Sequence, residues 1–142
     1  MRSTATLEFV RQVFHGAPFV AELGIAPTAI GAGRCESELV IRPQMLQHTG
    51  QVHASVVTTL ADHTAGAAAQ SMIDVEGGVA ITAELKISLL RPAQGERLTC
   101  VAQVVKPGRQ FMFTEADVFA LRDGQRHHVA RLSATMAVVL PR

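Results

Sequence analysis

The segment from residue 52 to residue 73 constrains the fold more than any other part of the chain. It reads VHASVVTTLADHTAGAAAQSMI, contains no proline and shows no strand-like alternation. Apolar residues recur at intervals of three and four, which predicts a long helix over 52–73. Residues 65–69 are all Ala or Gly, so neighbouring backbone can approach closely on every side. We therefore expect a central helix that the rest of the chain encloses.

Strand patterns lie on both sides of this helix. Residues 20–31 and 34–42 are apolar segments around a Gly-Ala-Gly break, a pattern typical of a hairpin. Residues 79–89 alternate with a period of two, which predicts a strand with one core face. That face is expected to carry Val79, Ile81, Ala83, Leu85, Ile87 and Leu89.

Three more strands are predicted, at 96–106, 109–121 and 127–140, separated by Pro-Gly and Asp-Gly turns. In the last of them, His128 is expected to share the apolar face with Ala130 and the alternate residues that follow. The order is helix, two strands, long helix and four strands. This order predicts an α+β fold whose mostly antiparallel sheet curls around the central helix.

Length and composition favour one folded unit. At 142 residues the chain has the size of one domain, and 48% hydrophobic against 18% charged residues exclude a disordered chain. An opening helix is predicted over residues 5–15, inside an N-terminal helical region 1–18. We expect a single domain over 1–142.

Charge and composition also exclude several classes of partner. The net charge is +1, and the six aromatic residues are all Phe, which argues against nucleic acid and anionic membrane surfaces as partners. No signal-length or membrane-length apolar run occurs. Cys35 and Cys100 are far apart with no CxxC pairing, which predicts neither zinc nor a disulfide and suits a reducing compartment. We expect a cytoplasmic protein.

Polar groups able to do chemistry concentrate at residues 48–53, which read HTGQVH, and at Asp62 in the central helix. The helical neighbours of Asp62 are small, namely Thr58, Thr59, Ala65 and Gly66. A buried carboxylate needs hydrogen-bond partners or water. The residues alone leave two interpretations, an exposed or capped aspartate and a reactive acid with space for a substrate. His48, His53 and Asp62 lack a recognised metal-ligand spacing, so no metal site is predicted.

The ordered set of motifs around Asp62 carries a family resemblance. His53 is followed after five residues by Thr59-Leu60-Ala61-Asp62 and is preceded three residues earlier by Gly50. The other elements are a Gly77-Gly78 turn before Thr82, Leu90-Arg91-Pro92-Ala93, and Lys106-Pro107-Gly108-Arg109. Over residues 20–140 this set resembles the PaaI-type acyl-CoA thioesterases of the hotdog superfamily. The resemblance implies a hotdog fold, a curved antiparallel sheet of five to six strands wrapped around the central helix.

The family motif reads HGGxxxTLxD, so His53 and Asp62 match it, while Ala54 and Ser55 replace the two glycines. The resemblance implies hydrolysis of an acyl thioester, with Asp62 as nucleophile or as general base for water. It implies that the Ala54 N–H binds the oxyanion, that His53 and Gln47 position the carbonyl and the carboxylate, and that Thr82 holds the attacking water.

The resemblance also implies a substrate and an assembly. The substrate would be a small, medium-chain or aryl acyl-CoA, whose coenzyme A is part of the substrate, with no separate cofactor. Sites of this family lie between two subunits, so a homodimer or a dimer of dimers is expected. Residues assigned to substrate binding are Gly50, His48, Ser55, Thr59, Arg91, Lys106 and Arg109. The last three are candidates for the coenzyme A phosphates, which need fixed cationic donors, or else are ordinary charges at strand ends.

Two other functions are compatible with the same shape. A non-catalytic acyl-CoA binding or sensing domain is favoured by the replacement of both motif glycines, and retention of Asp62 and Thr82 opposes it. A hotdog hydratase or dehydratase would need a histidine and an acid over the second and third acyl carbons. The placement of His53 and Asp62 on one helix favours the thioesterase arrangement instead.

Overall fold

The computed structural model describes residues 4–142, which form one six-stranded antiparallel sheet and three α-helices. The helices are α1 (Thr4–Gly16), α2 (Pro18–Leu23) and α3 (Ala54–Gln70), and a 3-10 turn covers Pro43–Met45. The strands are β1 (Ala26–Gly31), β2 (Arg34–Val40), β3 (Val79–Leu89), β4 (Arg97–Lys106), β5 (Phe111–Arg122) and β6 (Gln125–Val139). The predicted hotdog α+β fold is confirmed.

The six strands lie in the order β1-β2-β4-β5-β6-β3, and every neighbouring pair is antiparallel. Helix α3 packs against strands across this sheet, and its residues Leu60, Ala61 and Ala65 are fully buried. The alanines of its C-terminal half, Ala67, Ala68 and Ala69, are buried as well, which lets the sheet pack tightly around them. Strands β1 and β3 form the two edges.

Two element boundaries differ by more than two residues from the sequence-based expectation, namely the end of the central helix and the start of the first strand. The central helix begins at Ala54 and ends at Gln70, inside the predicted range 52–73. The predicted first strand over 20–31 is wrong at its start, because residues 18–23 form helix α2. Pro18 is at the first turn of α2, and Gly24 ends the helix in the left-handed conformation with φ +81°. Proline at the start and glycine after the end are the helix signals that override the apolar run.

A β-bulge changes the inward-facing residues of β3. Thr82 pairs with Met136 and Glu84 pairs with Thr135, so Ala83 is an extra residue without a partner. Before the bulge Thr82 points towards α3, and after it Leu85 packs on the core, while Ile81 is exposed. The predicted single face from Val79 to Leu89 is therefore wrong, because one extra residue reverses the alternation.

A second irregularity corrects the expectation for His128. Val118 pairs with Ala130 and Phe119 pairs with His128, which leaves Val129 as the extra residue in β6. His128 consequently lies on the outer face, where its ring stacks on Phe119 at 4.9 Å and its Nε2 lies 2.8 Å from Asp117 Oδ1. It does not share the core face of Ala130.

The two cysteines, Cys35 and Cys100, are free and buried on the core side of β2 and β4. Burial raises the pKa of each thiol to about 12. They behave as small apolar core residues.

Candidate active site

The start of α3 is fixed by His53, which caps the helix. The His53 N–H donates to the Met45 carbonyl at 2.8 Å, and the neighbouring Val52 N–H donates to the Ala93 carbonyl at 2.9 Å. The His53 side chain accepts a hydrogen bond from the Ser55 N–H at 3.0 Å. A cap of this kind satisfies one of the free amides of the first helical turn.

A cavity of about 660 Å³ opens at this helix start. Its walls come from the loop before α3, the first turn of α3, the segment after β3, and β6: Gln47, His48, Gln51, Val52, His53, Ala54, Val57, Leu89, Leu90, Arg91, Pro92, Ala93 and Val129. Ala54 is the first residue of α3, where the backbone N–H has no partner within the helix. The positive end of the helix dipole therefore faces a space large enough for a ligand.

The loop 47–51 closes on itself beside the cavity. The Gln47 N–H donates to the Gln51 carbonyl at 2.8 Å, and the Thr49 N–H donates to Gln47 Oε1 at 2.7 Å. The Gly50 backbone has φ +90°, a conformation that favours glycine. Because its oxygen is held by Thr49, the Gln47 amide can offer its NH₂ group to a ligand.

Asp62 lies in the middle of α3 and is half-buried. The Thr82 hydroxyl donates to Asp62 Oδ1 at 2.7 Å and also lies 3.4 Å from Met136 Sδ. The bulge at Ala83 is what turns Thr82 towards this carboxylate. A positioned acid with one oxygen held by a hydroxyl is suited to take a proton from water or to attack a carbonyl.

Within one protomer the structure does not bring Asp62 together with the cavity. Asp62 is eight residues after Ala54, a distance of about 12 Å along the helix at 1.5 Å per residue. Asp62 and Thr82 do not line the cavity, whereas Gln47, His53 and Ala54 do. The predicted catalytic residues thus form two clusters on one chain.

The three candidate cations are also separated. Arg91 lies on the cavity wall, and its Nη1 donates to the His128 carbonyl at 2.9 Å. Lys106 and Arg109 line a different cavity of about 430 Å³, together with Phe111 and Phe113. These two places lie at opposite ends of the sheet.

The strand register explains why the two cavities lie at opposite ends of the sheet. The end of β3, just before Arg91, pairs with the start of β6 at Ala130. The turn that carries Lys106 and Arg109 lies beside the end of β6, where the Val138 N–H donates to the Gln110 carbonyl.

The remaining predicted residues divide in the same way. His48 lines the cavity, and Gly50 shapes the loop behind it. Ser55 and Thr59 do not line the cavity, and the Thr59 hydroxyl donates to the Ser55 carbonyl at 2.7 Å. Sequence reasoning missed Val129, which reaches the cavity from β6. Val129 faces the cavity because of a β-bulge, and the position of this bulge depends on strand pairing, which cannot be read from the sequence of one strand.

Among residues 4–142, no group of three His, Cys, Asp or Glu side chains is placed to hold a metal ion. In the same part of the chain, no helix is long and apolar enough to cross a membrane.

The sequence of residues 49–126, more than half of the chain, matches the family model of the Thioesterase superfamily. The chain belongs to this superfamily. Membership confirms the predicted class of enzyme, a thioester hydrolase. The matched residues include the cavity wall at the start of α3, Asp62 and Thr82.

Solved structures of this superfamily are similar over almost the whole chain. A thioesterase family protein from Silicibacter pomeroyi is 34% identical, covers 96% of this chain and 99% of its own, and has a TM-score of 0.93. The Escherichia coli PaaI protein from the phenylacetic acid degradation operon is 22% identical, covers 96% and 95%, and has a TM-score of 0.82. The second likeness supports the fold, in agreement with the PaaI-type resemblance.

Two further relatives extend the comparison. The BH2602 protein from Bacillus halodurans, whose structure contains CoA, is 28% identical over 72% of this chain and 70% of its own, with a TM-score of 0.68. A curated Haemophilus influenzae protein described as a candidate esterase is 27% identical over 82% of this chain and 83% of its own.

Proposed function

We propose that this thioesterase hydrolyses acyl-CoA to the free acid and coenzyme A, with Asp62 as the reacting group. The observation that carries the proposal is the Thr82 hydroxyl held 2.7 Å from Asp62 Oδ1, on a helix face of small side chains. This arrangement gives a half-buried carboxylate a fixed direction and leaves room beside it for a substrate. No cofactor is needed, since coenzyme A is part of the substrate.

The chemistry can follow either of two routes at Asp62. As a general base, Asp62 takes a proton from water while the water oxygen bonds to the thioester carbon. As a nucleophile, its oxygen bonds to that carbon first and water later hydrolyses the mixed anhydride. In both routes the C–S bond breaks. In the first route the sulfur receives the proton that Asp62 took from water, and in the second the sulfur leaves as a thiolate that takes a proton from solvent, while hydrolysis of the anhydride by water returns a proton to solvent. The Ala54 N–H and the helix dipole stabilise the negative charge on the carbonyl oxygen.

The two clusters of site residues meet if two copies pair along β3. This strand is a sheet edge of 11 residues, and no other strand within residues 4–142 pairs with its backbone on that side. Antiparallel pairing of β3 with β3 of a second copy is a two-fold arrangement. It brings the middle of one central helix towards the start of the other, so Asp62 of one copy faces His53 and Ala54 of the next. We propose a homodimer as the active unit, alone or within a dimer of dimers.

The same pairing brings the separated cationic side chains close together. The two ends of the protomer exchange places across a two-fold axis, so Arg91 of one copy lies near Lys106 and Arg109 of the second. Such a cluster suits the phosphates of coenzyme A. The CoA present in the Bacillus halodurans relative supports this substrate class. The acyl group proposed is small, medium-chain or aryl, and the two free buried cysteines suit a cytoplasmic location.

A second candidate is a domain that binds acyl-CoA without cleaving it. It is favoured by one specific observation, that Ala54 and Ser55 occupy the two positions after His53 at the start of the helix, beside the cavity. The methyl group of Ala54 takes space at the point where the thioester carbonyl must approach the backbone N–H.

Thiol release from a panel of acyl-CoAs tests both candidates. The panel runs from acetyl to long-chain and includes phenylacetyl and benzoyl thioesters, with Asp62→Asn beside the wild type. We expect turnover of one class and a loss of at least about a hundredfold in the variant. Asp123→Asn, in the exposed β5–β6 turn, is the matched control and should retain full activity. No turnover, together with a raised melting temperature on acyl-CoA addition, would support the binding domain instead.

A further inference from the structure

The His53 ring has a defined tautomer. The Ser55 N–H points at Nδ1 over 3.0 Å, and a backbone N–H can only donate. Nδ1 must therefore be an acceptor without a proton, which places the proton of the neutral ring on Nε2. His53 lines the cavity, so the group available to a ligand there is an N–H donor.

A second group contacts the same nitrogen. Ser55 Oγ lies 2.7 Å from Nδ1, and because Nδ1 accepts, the hydroxyl is the donor. Backbone amide and side-chain hydroxyl of one residue thus converge on one ring nitrogen. The Ser55 carbonyl is itself held by the Thr59 hydroxyl at 2.7 Å, so this helical turn is a fixed support.

We propose that Ser55 is a positioning residue that holds the His53 ring so that its Nε2–H is directed at the thioester carbonyl. This inference rests on the proposed hydrolysis and adds a role for a residue that does not line the cavity. A glycine at position 55 would supply the backbone N–H alone and leave the ring with one contact fewer. The Ser55 hydroxyl therefore contributes directly to the orientation of the His53 ring.

The functional effect follows from the direction of the Nε2–H bond. A donor contributes most when it is preset towards the oxygen on which negative charge develops. Loss of the hydroxyl lets the exposed His53 ring rotate away, which weakens binding of the transition state more than binding of the substrate. The expected signature is a lower kcat with a nearly constant KM.

The experiment compares Ser55→Ala with Ser55→Thr, which restores a hydroxyl, and with Ser133→Ala, an exposed serine on the outer face of β6. We expect Ser55→Ala to lower kcat about five- to tenfold with KM unchanged. Ser55→Thr should recover most of the loss, and Ser133→Ala should match the wild type. Melting temperatures show that each variant is folded.

Nitrogen NMR of the labelled imidazole gives a readout that does not need turnover. In the wild type we expect the His53 proton on Nε2 and an Nδ1 resonance shifted by hydrogen bonding, with that shift reduced in Ser55→Ala and restored in Ser55→Thr. A proton on Nδ1, or identical spectra and kcat in wild type and Ser55→Ala, would overturn the proposal. Failure of the proposed hydrolysis is a separate result, because it shows as absent turnover in the wild type whatever the imidazole spectrum.

Discussion

Thr82 on the edge strand holds Asp62 of the central helix through a hydrogen bond of 2.7 Å, and a β-bulge one residue later makes this contact possible. Without the extra residue at Ala83, the inward face set by Leu85 would include Ala83 and Ile81, and Thr82 would point to the outer face. A local irregularity in one strand therefore determines the surroundings of the Asp62 carboxylate.

Replacement of Thr82 by valine should lower kcat about ten- to hundredfold, because a hydrogen bond to a charged group is lost while the shape is kept. Thr82→Ser keeps the hydroxyl and should retain most of the activity. Steady-state kinetics of both variants, with melting curves as a check on folding, measure this. Equal kcat for Thr82→Val and wild type would show that the contact has no part in the reaction.

Pairing along β3 predicts that a charge on this strand disrupts the assembly. Ile81 is 53% exposed on β3, and Ile81→Asp should raise the monomer fraction in sedimentation velocity and lower activity in proportion. Val40 on β2 is 54% exposed and lies at the far side of the sheet, so Val40→Asp is the matched control. An Ile81→Asp dimer of unchanged stability would contradict this assembly.

Arg91 should affect binding of only the nucleotide part of the substrate, and not binding of the acyl part. For acyl-CoA we expect Arg91→Gln to raise KM about tenfold, as for loss of a charged hydrogen bond. For the same acyl group on N-acetylcysteamine, which carries no phosphate, KM should stay constant. Arg34→Gln, an exposed arginine on β2, controls for net charge. Equal changes for both substrates would assign Arg91 a structural role through the His128 carbonyl.

His63 should make the fold sensitive to acid. Its ring packs edge-on against Phe14 at 4.6 Å, and its Nε2 is buried with no hydrogen-bond partner in the part of the chain that the structure describes. Burial lowers the pKa of His63, although the Asp62 charge and the backbone of Val13 oppose the shift. The native state then binds fewer protons than the unfolded state, so stability rises with pH from the lowered pKa up to the ordinary value near 6.5.

Urea unfolding of wild type and His63→Phe at a series of pH values between 5 and 8 tests this. One proton accounts for at most about 1.4 kcal/mol per pH unit. We expect the wild type to lose stability below about pH 6.5 and the variant to have a flatter profile. Parallel profiles would exclude His63 as the source.

The buried pair Ser37 and Thr64 should be coupled in stability. Their hydroxyl oxygens are 2.6 Å apart, and the Thr64 hydroxyl donates to the Leu60 carbonyl, so the Ser37 hydroxyl donates to Thr64. Thr64→Val leaves the Ser37 donor without this acceptor and should lower the free energy of unfolding by about 1–3 kcal/mol. Adding Ser37→Ala should restore part of the loss in a urea double-mutant cycle. Strict additivity would show that the two hydroxyls act independently.

Most of the fold could be predicted from the sequence because its signals are local. The proline-free segment around Leu60 and Ala65 predicted the central helix. Alternation, together with Pro-Gly and Asp-Gly turn signals, predicted four later strands close to their observed positions. The bulges at Ala83 and Val129 could not be predicted, because pairing with a neighbouring strand determines where an extra residue is placed.

The roles predicted for the site residues stay predictions, and the structure shows only how those residues are arranged within one protomer. The family motif pointed to His53 and Asp62, yet in one protomer the start of the helix at Ala54 and Asp62 are about 12 Å apart along the helix axis. Spacing in a sequence does not show this separation, and the meeting of the two residues between two copies stays a prediction. The contact of the Ser55 hydroxyl with His53 Nδ1 could not be predicted either, because a serine two residues after a helix cap can form hydrogen bonds with several other groups.

The buried cysteines have a practical consequence for every kinetic experiment on this enzyme. Thiol reagents react with thiolates, and thiols with a pKa near 12 carry almost no thiolate at neutral pH. Cys35 and Cys100 also lie beyond the reach of a reagent in solution while the fold is intact. A colorimetric thiol reagent in the assay mixture therefore reports released coenzyme A alone, and a slow second signal from the protein would mark the moment at which the sheet opens.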